Sequence, residues 1–313
     1  MLSQKLDQPL ERCREIFHLK NRPFVNALSE CYATCLLLFI GIGIVFQFDL
    51  TSRQLNTWIQ INIGWGFAIT FCVYTISHTS GGHLNPAISL MFYTFGRISF
   101  LEFIYNSIGQ FVGAFVGTLL AYLLYYDQVT HFLHGVKIAY GVNATATLFT
   151  SMPGEHVSNI TAFYDQFVGT GFLALFVAVI VDKRNEIPAG IHALLVGFVI
   201  AMIGMAFGMN VGYPINPARD FSPRLFAYLI GYGPEVFTAH DNYWWIPFFA
   251  PFPGALIGAW SYYLFVGFHI EDHPPQVLKS MTNKFGELET NPEMKPLAGE
   301  TEALTSRMQQ GGW

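Results

Sequence analysis

Six stretches of the chain run apolar for about 17 to 25 residues, the length that crosses a bilayer as a helix. They are Ala27–Phe48, Trp58–Ile76, Phe103–Tyr126, Ala162–Val181, Ile187–Met209 and Tyr243–Phe268. Two further apolar segments, Ala87–Phe95 and Ala218–Tyr228, are too short to span. Each of them follows the same tripeptide, Asn85-Pro86-Ala87 in one half and Asn216-Pro217-Ala218 in the other. The surroundings repeat as well: Glu30-Cys31-Tyr32-Ala33-Thr34 opens the first half, and Gln166-Phe167-Val168-Gly169-Thr170 opens the second.

Each half therefore reads as span, span, re-entrant motif, span. Three crossings are an odd number, so the second half enters from the opposite face and the repeat is inverted. The pattern predicts an all-α membrane protein of six transmembrane helices plus two re-entrant half-helices that meet near the midplane, where irregular backbone is tolerated if it lines a cavity. The implied divisions are an N-terminal arm (1–26), a channel domain (27–268) with repeats at 27–126 and 162–268 around a loop at 127–161, and a tail (269–313).

Composition agrees with lipid as the solvent. Hydrophobic residues make up 52% of the chain and charged residues only 12%, about half the charge of an average soluble protein. The basic residues set the orientation, because positive charge close to spans stays in the cytoplasm. Lys5, Arg12, Arg14, Lys20 and Arg22 precede the first span. Arg97, Lys183 and Arg184 fall in the second and fourth connections, and Lys279, Lys284, Lys295 and Arg307 follow the last span. Arg53, Lys137, Arg219 and Arg224 are left for the other side. Both termini are thus expected in the cytoplasm, with the plasma membrane as the expected location and the tail disordered. No cleavable signal peptide is expected, since the first 26 residues are polar and the first apolar run is itself long enough to span.

Two sequons, Asn143-Ala144-Thr145 and Asn159-Ile160-Thr161, fall in the loop that the charge rule places outside. Asn143 is the better glycosylation candidate because Asn159 borders the fourth span. Cys13, Cys31, Cys35 and Cys72 sit in the arm or within spans, so no structural disulfide is expected. The sequence contains no HExxH, no phosphate loop and no supported Ser/His/Asp pattern. No enzyme activity, cofactor, metal or nucleic-acid partner is expected.

Asn-Pro-Ala is physically a helix start, with Asn as N-cap and Pro at the first helical position. In opposed halves, two such starts aim about half a positive charge each at one depth from opposite faces. That is a barrier to cations and protons but not to a neutral molecule. The amides of Asn85 and Asn216 add donors for a passing hydroxyl oxygen or water, and helix ends of this kind are a selectivity device.

With both motifs and the inverted repeat in place, the chain resembles the major intrinsic protein family, the aquaporins, over about Asn26 to Phe268. Asn216-Pro217-Ala218-Arg219-Asp220, Gly208-Met209-Asn210-Val211-Gly212-Tyr213 and Tyr243-Trp244-Trp245-Ile246-Pro247 resemble its glycerol-channel members, the aquaglyceroporins. The resemblance implies a selectivity filter at Trp65, Gly204, Tyr213 and Arg219, with Gly204 leaving room for a three-carbon polyol. It also implies loop support from Glu30 and Gln166, a bracing role for Asp220, and a homotetramer. Arg219 at a pore wall repels cations and offers donors, while Trp65 and Tyr213 form an apolar corner opposite it. His83 faces the vestibule on the cytoplasmic side and is a candidate pH gate. The function expected is passive conduction of glycerol and water, with urea and other small neutral solutes as further candidates. A water-selective aquaporin and an ion-coupled secondary transporter are the alternatives, the second needing ionisable groups in mid-membrane.

Overall fold

The computed structural model describes residues 8–271. Of these, the residues as far as His269 form one compact unit. Lys5 and the tail from Asp272, with Lys279, Lys284, Lys295, Arg307 and the disorder expected of that tail, lie outside the described residues.

Among the described residues, six helices are long and apolar enough to cross a membrane: Arg22–Asp49, Trp58–Ile76, Phe100–Leu124, Asn159–Val181, Ala189–Phe207 and Trp245–His269. The second matches its sequence expectation residue for residue. Three others begin several residues earlier than the apolar runs, because polar caps extend them. Asn21 accepts from the Phe24 amide, Ser158 accepts from that of Thr161, and Ser99 and Glu102 close a capping box at the third helix, satisfying amides that would otherwise be orphaned. The sixth is broken at Ala250 between Trp245–Phe249 and Pro251–Phe265, since a proline ring cannot sit in a helix interior without loss of a hydrogen bond. The arm and the long loop carry short helices at Pro9–Phe17 and Tyr126–Leu133.

The two short helices, Pro86–Thr94 and Pro217–Ala227, start at the repeated prolines. Their N-caps have nearly the same backbone: Asn85 lies at φ −153, ψ 122 and Asn216 at φ −154, ψ 111. Packing repeats in the same way. The first span packs on the third and the fourth on the sixth, while the second packs on the fifth across the halves. The first half-helix rests on the sixth span and the second half-helix on the third, so each is held by the other half of the molecule.

Glycine sets how closely these pairs approach, as expected where lipid supplies no hydrophobic drive between helices. A Cβ on Gly109, Gly113 or Gly117 of the third span would fall 2.1 to 2.3 Å from the carbonyl oxygens of Ala27, Cys31 and Cys35 on the first. Gly254 and Gly258 meet the carbonyls of Phe167 and Gly171 in the mirror pair, at 2.3 and 2.0 Å. Gly66 and Gly197 do the same between the second and fifth spans.

Candidate functional site

Where the half-helices meet, each Asn side chain does two jobs. Its oxygen caps its own helix: Asn85 Oδ1 accepts from the Ala87 amide at 2.9 Å, and Asn216 Oδ1 from Ala218 and Arg219 at 3.0 and 3.2 Å. Its nitrogen crosses to the other half. Asn85 Nδ2 donates to the Ile215 carbonyl at 2.9 Å, and Asn216 Nδ2 donates to the Leu84 carbonyl at 2.8 Å. One N–H of each amide is used in this way, and the second is left for a molecule in the cavity. The two accepting residues share a left-handed backbone, Leu84 at φ 56 and Ile215 at φ 40. That conformation is costly for a β-branched or bulky residue and persists only when its surroundings enforce it.

The enforcement comes from the residues that open each half. Glu30, fully buried, accepts the His83 amide at 2.8 Å and the Leu84 amide at 2.7 Å. It also accepts from Ser80 Oγ and Gln110 Nε2. Gln166 Oε1 accepts the Ile215 amide at 2.8 Å, so the amide form still holds its loop.

A cavity of about 480 Å³ runs through this centre. At one end it is lined by Ser77, His78 and Gly190; at its middle by Asn85 and Asn216; at the other end by Trp65, Tyr213 and Arg219. The Arg219 guanidinium carbon stands 5.0 Å from the Trp65 ring centre. Trp65 packs against Gly41, where a Cβ would meet the ring at 2.1 Å.

Gly204 leaves its space to its neighbours. The space a side chain would occupy is filled: a Cβ there would lie 2.4 Å from Asn62 Oδ1 and 2.5 Å from Tyr213 Cζ. The absent side chain makes room for the Tyr213 ring to lie back, and only through it for a permeant. Tyr213 is fixed there by donating to Asn62 Oδ1 at 2.6 Å and by edge contact with Trp58. Asn62 escapes the sequence reading, although a polar residue inside an apolar span is its signal.

Asp220 faces away from the cavity. It accepts from Thr150, from the amide and hydroxyl of Ser151, and from Arg224, 2.7 Å away. Arg224 is itself fully buried and also donates to the Val236 and Ser151 carbonyls at 2.7 Å each. The pair pins two connecting loops to the second half-helix. His83 lines the cavity with its ring stacked on Phe92 at 4.5 Å and Nδ1 3.1 Å from Ser89 Oγ. Asn143 is exposed, whereas Asn159 Nδ2 is engaged with the His240 carbonyl at 3.1 Å.

Comparison with known proteins places this geometry. The model of the family described as "Major intrinsic protein" matches residues 18–262. Mouse aquaporin-9 is 40% identical over 80% of this chain and 86% of its own length, and human aquaporin-10 is 35% identical over 87% and 92%. The X-ray structure of the aquaglyceroporin from Plasmodium falciparum superposes with a TM-score of 0.69 at 28% identity, covering 78% of this chain and 96% of the other. On the repeat, the crossed asparagines and these matches, the chain belongs to the major intrinsic protein family.

Proposed function

We propose that the chain is a passive channel for glycerol and water, with urea and similar small neutral solutes as further candidates, and that it performs no chemistry on them. The observation that carries this is the asymmetric constriction. Arg219 provides a fixed charge and several donors, and the rings of Trp65, over which its guanidinium carbon stands at 5.0 Å, and of Tyr213 provide the apolar part of the wall. A polyol carries hydroxyls along one edge and CH groups along the other, so it matches both at once. A hydrated cation meets Arg219 and then two helix N-termini at the asparagines, which oppose it in succession.

Stopped-flow shrinkage and swelling of proteoliposomes measures both permeants. Gly204→His has no space beside Asn62 and Tyr213 and drives the Tyr213 ring into the lumen. Glycerol permeability then falls about tenfold or more, the rate equivalent of a strain near 1.4 kcal/mol, while water permeability falls less. Undiminished glycerol flux in Gly204→His would rule out this constriction as the filter.

The same reading puts both termini in the cytoplasm, the membrane in question being the plasma membrane, and four copies in the assembly. The distribution of Lys and Arg supports the first and the family resemblance the last. His83 lines the entry on the termini side, where its protonation changes the charge facing the cavity. If it gates, lowering the pH from about 7.5 to below the range in which a free imidazole titrates, as burial of the ring requires, alters glycerol flux in the wild type but not in His83→Ala. Parallel pH profiles for the two proteins exclude a gate at His83.

A further inference from the structure

The two halves solve one problem with different chemistry. In the first half a single carboxylate, Glu30, takes two loop amides and two side-chain donors on its two acceptor-only oxygens. At the matching place Gln166 has one acceptor oxygen and one donor nitrogen. An amide of this kind has two nearly isosteric orientations, and only one of them presents oxygen to the Ile215 amide. The opposite orientation sets N–H against N–H and releases the loop.

Its neighbour removes the choice. Gln166 Nε2 donates to Asp165 Oδ1 at 2.9 Å, and a carboxylate can only accept. The other oxygen, Asp165 Oδ2, accepts from Asn210 Nδ2 at 2.9 Å. Asp165 is 8% exposed, so neither bond has bulk water as a ready substitute. The consequence spans the whole loop. Asn210 stands at its beginning and Ile215 at its end, and between them Tyr213 lies at φ 44, as left-handed as Ile215. Ile215 in turn presents the carbonyl that receives Asn85 Nδ2.

We propose that Asp165 is a positioning residue of the channel. By holding Asn210 and orienting Gln166, it fixes both ends of the segment that carries Tyr213 into the constriction and Ile215 into the centre. Asp165 does not line the cavity and touches no permeant. It supplies from the adjacent position the negative charge that Glu30 supplies directly in the first half. The proposal rests on the channel reading above, and wild-type flux tests that reading separately.

The test is a charge exchange. In Asp165→Asn the new amide has one acceptor for two donors, Gln166 Nε2 and Asn210 Nδ2, so one of them is lost. In Gln166→Glu two carboxylates face each other. In Asp165→Asn/Gln166→Glu every bond is complementary again. The carboxylate introduced at position 166 accepts from the Ile215 amide and from the side-chain nitrogen introduced at position 165, and the side-chain oxygen at position 165 accepts from Asn210. Glycerol flux of reconstituted protein, normalised to channel content, is expected to fall about threefold to tenfold in each single variant and to recover to within about twofold of wild type in the double, a strongly non-additive cycle. The water-to-glycerol ratio follows the same course, because it reports where Tyr213 lies and a loss of general packing does not restore it. Wild-type flux in Asp165→Asn overturns the proposal. So does a double variant no better than the singles, or one that fails to fold, whatever the folding of the singles. Absence of glycerol flux in the wild type itself refutes the channel reading, not the role of Asp165.

Discussion

Arg224 illustrates what a buried charge does in this chain. Its guanidinium is closed off from solvent and fully engaged by Asp220 and two carbonyls. Such a pair adds little over an apolar replacement, but breaking it strands the partner at a cost of about 3–5 kcal/mol. Arg224→Gln is accordingly expected to lower the unfolding temperature in detergent by more than Arg224→Lys, which keeps a positive charge beside Asp220. Equal losses in the two variants would mean that the ion pair is not what holds the loops. At this scale the sequence is legible where a residue's chemistry has only one outlet. The capping asparagines can be given partners of the right kind from their type and position alone, whereas the loop support by Glu30 and Gln166 is read only through the family resemblance. Asp220 reads as a brace, but its partner Arg224 sits one helical turn further on and reads only as a charge. At Gly204 the absence of a side chain does not say which neighbour fills the space.

Between elements, the seams are made of backbone. Gly113 touches the Cys31 carbonyl, and Gly258 touches that of Gly171, so a methyl at either place forces two membrane helices apart. Overpacking of this sort costs about 1–3 kcal/mol. Gly113→Ala and Gly258→Ala are each expected to reduce the thermal stability of the detergent-solubilised protein, whereas Gly190→Ala, which meets no neighbour within 4 Å, leaves it unchanged. Identical melting of all three would remove glycine from the account of the seams. The existence and order of the spans can be read from apolar run length alone. Their ends cannot, because helices capped by Asn21, Ser99 and Ser158 continue through polar residues that a run-length criterion excludes. The break at Ala250 follows Phe249 within one apolar run, and hydropathy carries no signal for it.

For the whole molecule, the placement of the long loop is the most accessible test of orientation. Asn143 is exposed in that loop, and the Asn159 amide is occupied by the His240 carbonyl. In a eukaryotic host the protein is expected to carry one glycan, removable by endoglycosidase and absent in Asn143→Gln but retained in Asn159→Gln. A glycan retained in Asn143→Gln would move the site, and a cleanly unglycosylated wild type would withdraw this support for the outward loop.

The crossed asparagines also bear on how the molecule is made. Asn85 finds its carbonyl on Ile215, and Asn216 finds its own on Leu84, so the ribosome has finished the first loop long before its partner exists. Until the second half is inserted, the first half-helix lacks both the acceptor for its cap and the sixth span it packs on. A nascent chain with three spans therefore contains half of a doorway and no passage.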